Sequence, residues 1–162
     1  LSFIKKQYDF CLGAAGYPET HSEATNPVKD LEMLKLKVDQ GAEYIVAQYF
    51  YDNQFFYDYV DKARAKGIKV PIIPGIMPIY TIKMTENLAG LCGTKIVKKV
   101  RDGLDQLPKD DKNAVLQFGV DFATEQCRDL IKNGVKGLHF YTMNRSKSVV
   151  SILNNLKSEG LL

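Results

Sequence analysis

The chain has 162 residues, 45% of them hydrophobic and 25% charged, the balance of one soluble globular domain with a sizeable core. No apolar run approaches the ~20 residues of a membrane span, and the amino terminus lacks the basic region, apolar stretch and small-residue cleavage site of a secretory leader. A formal charge of +3, carried by dispersed lysines, is too slight to point to nucleic acid, and Lys95, Lys98 and Lys99 read as a solvated helix face.

In chain order, Tyr8 to Ala15 has the apolar character of a strand. Asn26-Pro27 reads as an N-cap with proline at the first helical position. The helix it opens is expected to run to about Gln40, with Leu31, Leu34 and Val38 on one stripe and Gly41 as its stop. Tyr44 to Phe50 is a nearly continuous apolar strand. A helix from about Gln54 to Lys66 follows, ended by Gly67, and Val70 to Ile76 is a third strand. Helices are expected near Thr81 to Leu91 and from Asp110 to Asn133, where Gly134 ends the second. Between them Lys98 to Asp111, the most charged stretch, reads as a surface connection. Val135 to Thr142 is a fourth strand. Ser146 can cap a last helix with Val149, Val150, Leu153 and Leu156 turned inward. The order is βαβαβααβα. Apolar strands alternating with helices indicate the α/β class, a parallel sheet covered by helices.

Cys11, Cys92 and Cys127 are far apart and form no CxxC pair, which argues against a disulfide framework and for a reducing cytosol. Cys11, inside an apolar run, reads as a small core residue. Chemistry gathers instead in Gly16-Tyr17-Pro18-Glu19-Thr20-His21-Ser22-Glu23-Ala24. There Gly and Pro break the first strand and a phenol ring, an imidazole and carboxylates share one loop. A second gathering, His139 to Arg145, closes the fourth strand, while Gln48 interrupts the second and Pro74-Gly75 closes the third. Ligands of parallel α/β folds sit at the carboxyl ends of strands. Four strand ends carrying polar groups to one face therefore indicate a binding site.

Ala15 to Ala24 resembles the flavin loop of the methylenetetrahydrofolate reductase family. Lys35 to Ala42, Gln48-Tyr49-Phe50-Tyr51-Asp52, Pro71 to Pro78 and Gly137 to Arg145 are similar to the segments that follow it there, in the same order. The resemblance covers almost the whole chain. It implies a TIM (β/α)8 barrel, a fold of ~250 residues, of which this chain supplies about the last four βα units, the carboxyl-terminal half of the catalytic barrel. The family's catalytic acid glutamate and its Arg-Gly-Asp segment belong to the other half, and no Arg-Gly-Asp occurs here. No catalytic residue is therefore assigned within this chain, which by itself is expected to be inactive.

The resemblance gives Tyr17, His21, Ser22, Glu23, Ala24, Asp30 and Lys37 to FAD. A loop tyrosine can stack on a flavin or adenine ring, and an imidazole can donate to pyrophosphate or ribose oxygens. The alternatives are a half-buried packing tyrosine and a loop-capping histidine; a metal site is disfavoured because no second His or Cys lies at ligand spacing. Where the family usually has proline, Ser22 stands and loosens the loop. Asp30 and Lys37 are about 10 Å apart along one helix face, a carboxylate suited to ribose hydroxyls and a lysine suited to phosphate; without the resemblance they read as a solvated charged face. Gln48, Tyr141 and Arg145 match residues near the folate: an amide for the pterin edge, and an arginine for carboxylates. Otherwise Gln48 is a core amide satisfied by backbone, and Arg145 caps a helix or pairs with an aspartate. His139 reads as a structural strand histidine. Met84 and Leu88 stand where some members place a polar and an aromatic substrate contact, so stacking there differs.

The implied reaction is the FAD-dependent reduction of 5,10-methylenetetrahydrofolate to 5-methyltetrahydrofolate with NADH or NADPH, in one-carbon metabolism. The expected partners are the folate substrate, the missing amino-terminal half, and further copies in a homo-oligomer of the complete enzyme. No nucleic-acid or membrane partner is expected, and the location is cytoplasmic. The alternative is a non-catalytic half-barrel interaction module or subunit, whose open strand edges invite association. A pterin enzyme without flavin is a third reading, disfavoured by the Tyr17, His21, Asp30 and Lys37 set.

Overall fold

The computed structural model describes residues 1–108 and 111–162. Its elements are α1 (Ser2–Gln7), β1 (Gly13–Gly16), α2 (Pro27–Asp39), β2 (Tyr44–Tyr49), α3 (Asn53–Ala65), β3 (Ile72–Ile76), α4 (Ile82–Cys92), α5 (Lys98–Asp105), α6 (Lys112–Lys132), β4 (His139–Phe140) and α7 (Ser146–Ser158). Short polar side chains open the longer helices by accepting otherwise orphaned N–H groups. Asn26 Oδ1 accepts from Lys29 N at 3.0 Å, Asp52 Oδ1 from Gln54 N at 2.9 Å, and Thr81 Oγ1 from Met84 N at 3.2 Å. Gly41 and Gly67 stop α2 and α3 with φ of +106° and +78°, the left-handed region that glycine enters without a Cβ penalty.

The strands lie in the order β1-β2-β3-β4, all parallel. A right-handed crossover between neighbouring parallel strands carries its helix to a fixed side. Consecutive order without reversal therefore sets the helices on one face, whereas a doubly wound sheet reverses. The register agrees. Ala14, Ile45 and Ile72 are aligned and pack with Leu34, Tyr59, Ala63 and Ile68. Ala47 and Ile76 pack with Phe50, Phe56, Leu130, Ile152 and Leu156. The alternate row, Ala15, Val46 and Ile73, belongs to none of these clusters and is exposed or half-buried. A further cluster, Tyr49, Tyr51, Met77 and Ile79 with Val100, Leu104 and Val115, closes the carboxyl end of the sheet under α5 and α6. Among the described residues no helix is long and apolar enough to cross a membrane.

Several expectations need correction. The first strand starts at Gly13 rather than Tyr8, because β2 offers partners only from Tyr44 onward. Tyr8 and Phe10 instead stack on each other in solvent, ring centres 5.6 Å apart, and Cys11 is exposed rather than in the core. The fourth strand is His139–Phe140 only, paired with Gly75 and Ile76. Pro74, on the same side of β3 as the Ile76 carbonyl that accepts from Tyr141 N, brings no N–H to that edge. The charged stretch after Lys98 is a helix that buries Val100 and Leu104, one turn apart, and α1 was not anticipated. The expected helix start at Asp110 lies outside the described residues; the helix runs from Lys112, with Asp111 accepting from Asn113 N and Ala114 N. Ser146 is the first residue of α7, not its cap. The buried stripe of α7 is Ser148, Ile152 and Leu156, which leaves Val150 half exposed.

Helix α6 crosses the loop after β3 so closely that a Cβ on Gly119 would lie 2.2 Å from the Ile79 carbonyl oxygen. Replacing a helical glycine by alanine ordinarily gains about 0.5–1 kcal/mol, while overpacking against fixed backbone costs about 1–3 kcal/mol. The clash should win: Gly119→Ala is expected to lower the urea midpoint, and a raised midpoint would refute this packing.

Candidate functional site

The carboxyl ends of the strands bring the candidate residues to one rim. Gly16 ends β1 opposite Ala47 of β2, and a Cβ there would meet the Tyr59 hydroxyl at 2.1 Å and Ile45 Cγ2 at 2.8 Å. Only glycine lets the chain turn this close to α3. Tyr59 is buried, and its hydroxyl lies close to the Tyr17 backbone, which partly eases that burial, without a well-formed hydrogen bond to any described residue.

The loop beyond Gly16 is held by helix α2. Asp30 Oδ2 accepts the His21 backbone N–H at 3.2 Å, and Lys37 Nζ donates to the Ala15 carbonyl at 2.9 Å. Asp30 and Lys37 thus hold the loop and the end of the strand that leads into it, as their shared helix face allows. Between them stands Tyr17, with the Lys37 ammonium 5.4 Å from its ring centre and the His21 ring edge-on at 4.4 Å. Burial, reinforced by the Asp30 carboxylate, raises the Tyr17 hydroxyl above its ordinary pKa, so it stays protonated. His21 Nδ1 accepts the Glu23 N–H at 3.1 Å, which places the proton of the neutral ring on Nε2. Ser22 and Glu23 are exposed and Ala24 is half-buried, so this part of the loop offers mostly backbone to the rim.

The second set lies across β2. The ladder shifts register between Val46 and Tyr49, and Gln48 Oε1 accepts the Tyr49 N–H at 3.0 Å. Gln48 is half-buried rather than fully buried, and its amide nitrogen has no partner among the described residues. Tyr141 lays its ring over Gly75, where a Cβ would lie 2.7 Å from Cε2, and its hydroxyl reaches the Ala47 carbonyl at 3.4 Å. Gly16 and Tyr141 therefore flank the same residue of β2, which brings the rings from the two ends of the chain together. Burial also holds the Tyr141 hydroxyl protonated. Met143 and Asn144 have φ of +48° and +58° and turn the chain into α7. Arg145 at that corner is exposed, with its guanidinium 5.5 Å from the Tyr80 ring centre. Tyr80 is itself fixed by donating to the Thr142 carbonyl at 2.9 Å. His139 is exposed at the sheet edge, edge-on to Tyr141 at 4.8 Å. Leu88 packs against the Tyr49–Tyr51 cluster, and Met84 is half-buried.

One pattern runs through both sets. Asp30, His21 and Gln48 each commit one polar atom to their own chain and keep another free among the described residues, and the Lys37 ammonium keeps further protons beyond the one it gives Ala15. The free atoms are a carboxylate oxygen, an imidazole N–H, ammonium protons and an amide NH2. Beside the Tyr17 ring, those of Asp30, His21 and Lys37 suit ribose hydroxyls and phosphates, and the ring itself suits a flat group. No group of three or more His, Cys, Asp or Glu is placed to hold a metal among the described residues. Gly16 and Gly75, read from the sequence as strand ends at the site, also shape the rim by close approach, and Tyr59, which the sequence did not single out, packs against the first of them.

The model of the family described as methylenetetrahydrofolate reductase matches residues 1–157. "Methylenetetrahydrofolate reductase 1" of Schizosaccharomyces pombe is 45% identical over 162 residues, 99% of this chain and 26% of that protein. "Methylenetetrahydrofolate reductase (NADH) 1" of Zea mays is 42% identical, over 91% of this chain and 26% of that protein. "5,10-methylenetetrahydrofolate reductase" of Escherichia coli is 35% identical, over 96% of this chain and 52% of that protein. The chain therefore spans between a quarter and about half of the length of these relatives. Among solved structures, a Clostridium thermocellum protein described as binding two copies of 5-methyl-5,6,7,8-tetrahydrofolic acid shares the fold. Its TM-score is 0.59 and its identity 19%, over 95% of this chain and 57% of that one. The chain belongs to the methylenetetrahydrofolate reductase family.

The close approach at Gly16 has a test independent of any ligand. Gly16→Ala should destabilise by about 1–3 kcal/mol through overpacking, whereas Tyr59→Phe should be near neutral because it removes an unpartnered hydroxyl. In a double-mutant cycle by urea denaturation, Tyr59→Phe should recover part of the Gly16→Ala loss. Strict additivity would show that the hydroxyl and Gly16 do not meet.

Proposed function

We propose that this chain forms the flavin- and folate-binding rim of an enzyme that reduces 5,10-methylenetetrahydrofolate to 5-methyltetrahydrofolate with NADH or NADPH. The observation that carries the reading is the convergence, on one rim, of side chains that anchor their own loops and still keep a free polar atom. The relatives' names support the reaction, and the folate bound by the Clostridium thermocellum protein supports the substrate class.

The residues fit FAD. Tyr17 offers a ring face; His21 Nε2–H and the Lys37 ammonium offer donors to phosphate oxygens; the free oxygen of Asp30 accepts from ribose hydroxyls. Ser22, Glu23 and Ala24 line the nucleotide through backbone and small groups. When bound, FAD supplies hydride transfer between the nicotinamide and the one-carbon unit of the folate. The chain's own groups bind and orient. The Gln48 amide nitrogen donates to the pterin edge, Tyr141 keeps a protonated hydroxyl beside it, and Arg145 takes a carboxylate of the glutamate tail. Orientation of this kind lowers the entropic part of the barrier. The general acid that opens the folate ring is not assigned to any residue of this chain.

The uncovered row Ala15, Val46 and Ile73 and the open edges of β1 and β4 favour closure of the sheet. In this reading further βα units complete a TIM barrel and bring the acid glutamate. The second reading, a half-barrel module that associates through those edges, rests on the same open edges. A preparation that stays colourless and associates without flavin would favour it.

In the full-length protein, Asp30→Ala and Lys37→Met should each weaken FAD binding roughly tenfold or more, the worth of a charge-assisted hydrogen bond. Gln48→Leu should retain FAD and raise KM for methylenetetrahydrofolate. Folate reduction without flavin, or Gln48→Leu acting on flavin retention alone, would contradict the assignment.

A further inference from the structure

We propose that Glu19 is a positioning residue for the cofactor loop, clamping Tyr17 and His21 to the turn between α4 and α5. The proposal rests on the reading of that loop as the flavin site. Glu19 stands midway between Tyr17 and His21 in sequence. Its half-buried carboxylate accepts the Lys95 backbone N–H, with Oε2 at 3.1 Å and Oε1 at 3.3 Å. The turn that presents this N–H is itself fixed to the sheet, since Thr94 Oγ1 donates to the Tyr49 carbonyl at 3.1 Å. The two segments also run close together: the Thr20 carbonyl oxygen and Ser22 Cβ lie 3.9 Å from where a Gly93 side chain would begin.

Between these contacts Thr20 holds φ of +74°, a left-handed conformation that a β-branched residue keeps only when its surroundings fix it. Helix α2 grips the loop from within its own βα unit, through Asp30 and Lys37. Glu19 ties it to a unit two strands further along the sheet. With only the first grip the loop could pivot on α2 and carry Tyr17 and His21 with it.

Glu19 faces Lys95 and Asp52, and across a cavity of about 180 Å³ it shares walls with Asp30 and Lys62. Burial raises its carboxyl above the ordinary range, against the lowering effect of the Lys95 N–H and charge; Asp52 adds to the rise. A clamped state with the higher pKa takes up a proton on closing, so clamping strengthens as pH falls through that raised range. An amide, which accepts the same N–H without burying charge, should clamp at least as well as the carboxylate.

The test compares wild type, Glu19→Ala and Glu19→Gln in the full-length protein by amide hydrogen exchange of residues 17–24 and by FAD titration. In Glu19→Ala, exchange of the segment should rise about tenfold and FAD affinity should fall by a similar factor, with α6 protection unchanged. Glu19→Gln should match or exceed wild type in both. Wild-type protection, corrected for intrinsic rates, should rise as pH falls through the range just above that of an ordinary carboxyl, while Glu19→Gln stays flat. Wild-type exchange in Glu19→Ala would overturn the clamp. Tyr17→Ala and His21→Ala separate the two ideas. If they weaken FAD and Glu19→Ala does not, the positioning role fails and the flavin site stands. If none of the three alters FAD affinity, the flavin reading fails and takes this role with it.

Discussion

The consecutive parallel order of the strands is the constraint on which the rest of the molecule depends. It sends the packed helices to one face, fixes the aligned core rows through Ile45 and Ala47, and puts every strand's carboxyl end on one rim. Gly16 and Gly75 both flank β2, so the loop that follows the first and the Tyr141 ring that covers the second lie on the same rim. The close approaches at those glycines, 2.1 Å to the Tyr59 hydroxyl and 2.2 Å to the Ala47 carbonyl for a hypothetical Cβ, are the local cost of that convergence. A side chain at Gly16 would displace Tyr59, and one at Gly75 would displace the Tyr141 ring.

The rim economises on polar atoms. A loop that must bind a charged ligand also needs its own backbone groups satisfied. Here the same residues do both: Asp30 and Lys37 tie the loop to α2, and His21 Nδ1 ties it to Glu23. What remains outward is one hydrogen-bonding function per residue. A rim organised before its ligand arrives loses less ordering entropy on binding. Burial raises the Tyr17 and Tyr141 hydroxyls further above their ordinary pKa, so the rings between the charged groups stay neutral well into the alkaline range.

Much of this was legible in the sequence because punctuation and periodicity agreed. Asn26-Pro27 capped α2 as written, Gly41 and Gly67 stopped helices, and Leu31, Leu34 and Val38 faced one core cluster. The misreadings share a physical origin in pairing, which composition does not encode. Tyr8 to Leu12 is apolar but has no strand beside it among the described residues, and Val135 to Leu138 faces a β3 edge interrupted by Pro74. Lys98 to Asp105 is charged enough to pass for a loop, yet Val100 and Leu104 at one-turn spacing suffice to bury it. At the site, resemblance supplied the roles of Asp30 and Lys37. The sequence held no sign that each would also grip a backbone carbonyl or N–H of the loop it follows, since that depends on how α2 crosses β1.

A crystal structure of the full-length protein with FAD bound is the most direct test. The expected result is a flavin nucleotide against Tyr17, with His21, Asp30 and Lys37 within hydrogen-bond reach and Gln48 and Tyr141 facing the open side. A flavin bound at the opposite end of the strands, beside Gly134 to Gly137, would contradict the placement of the site.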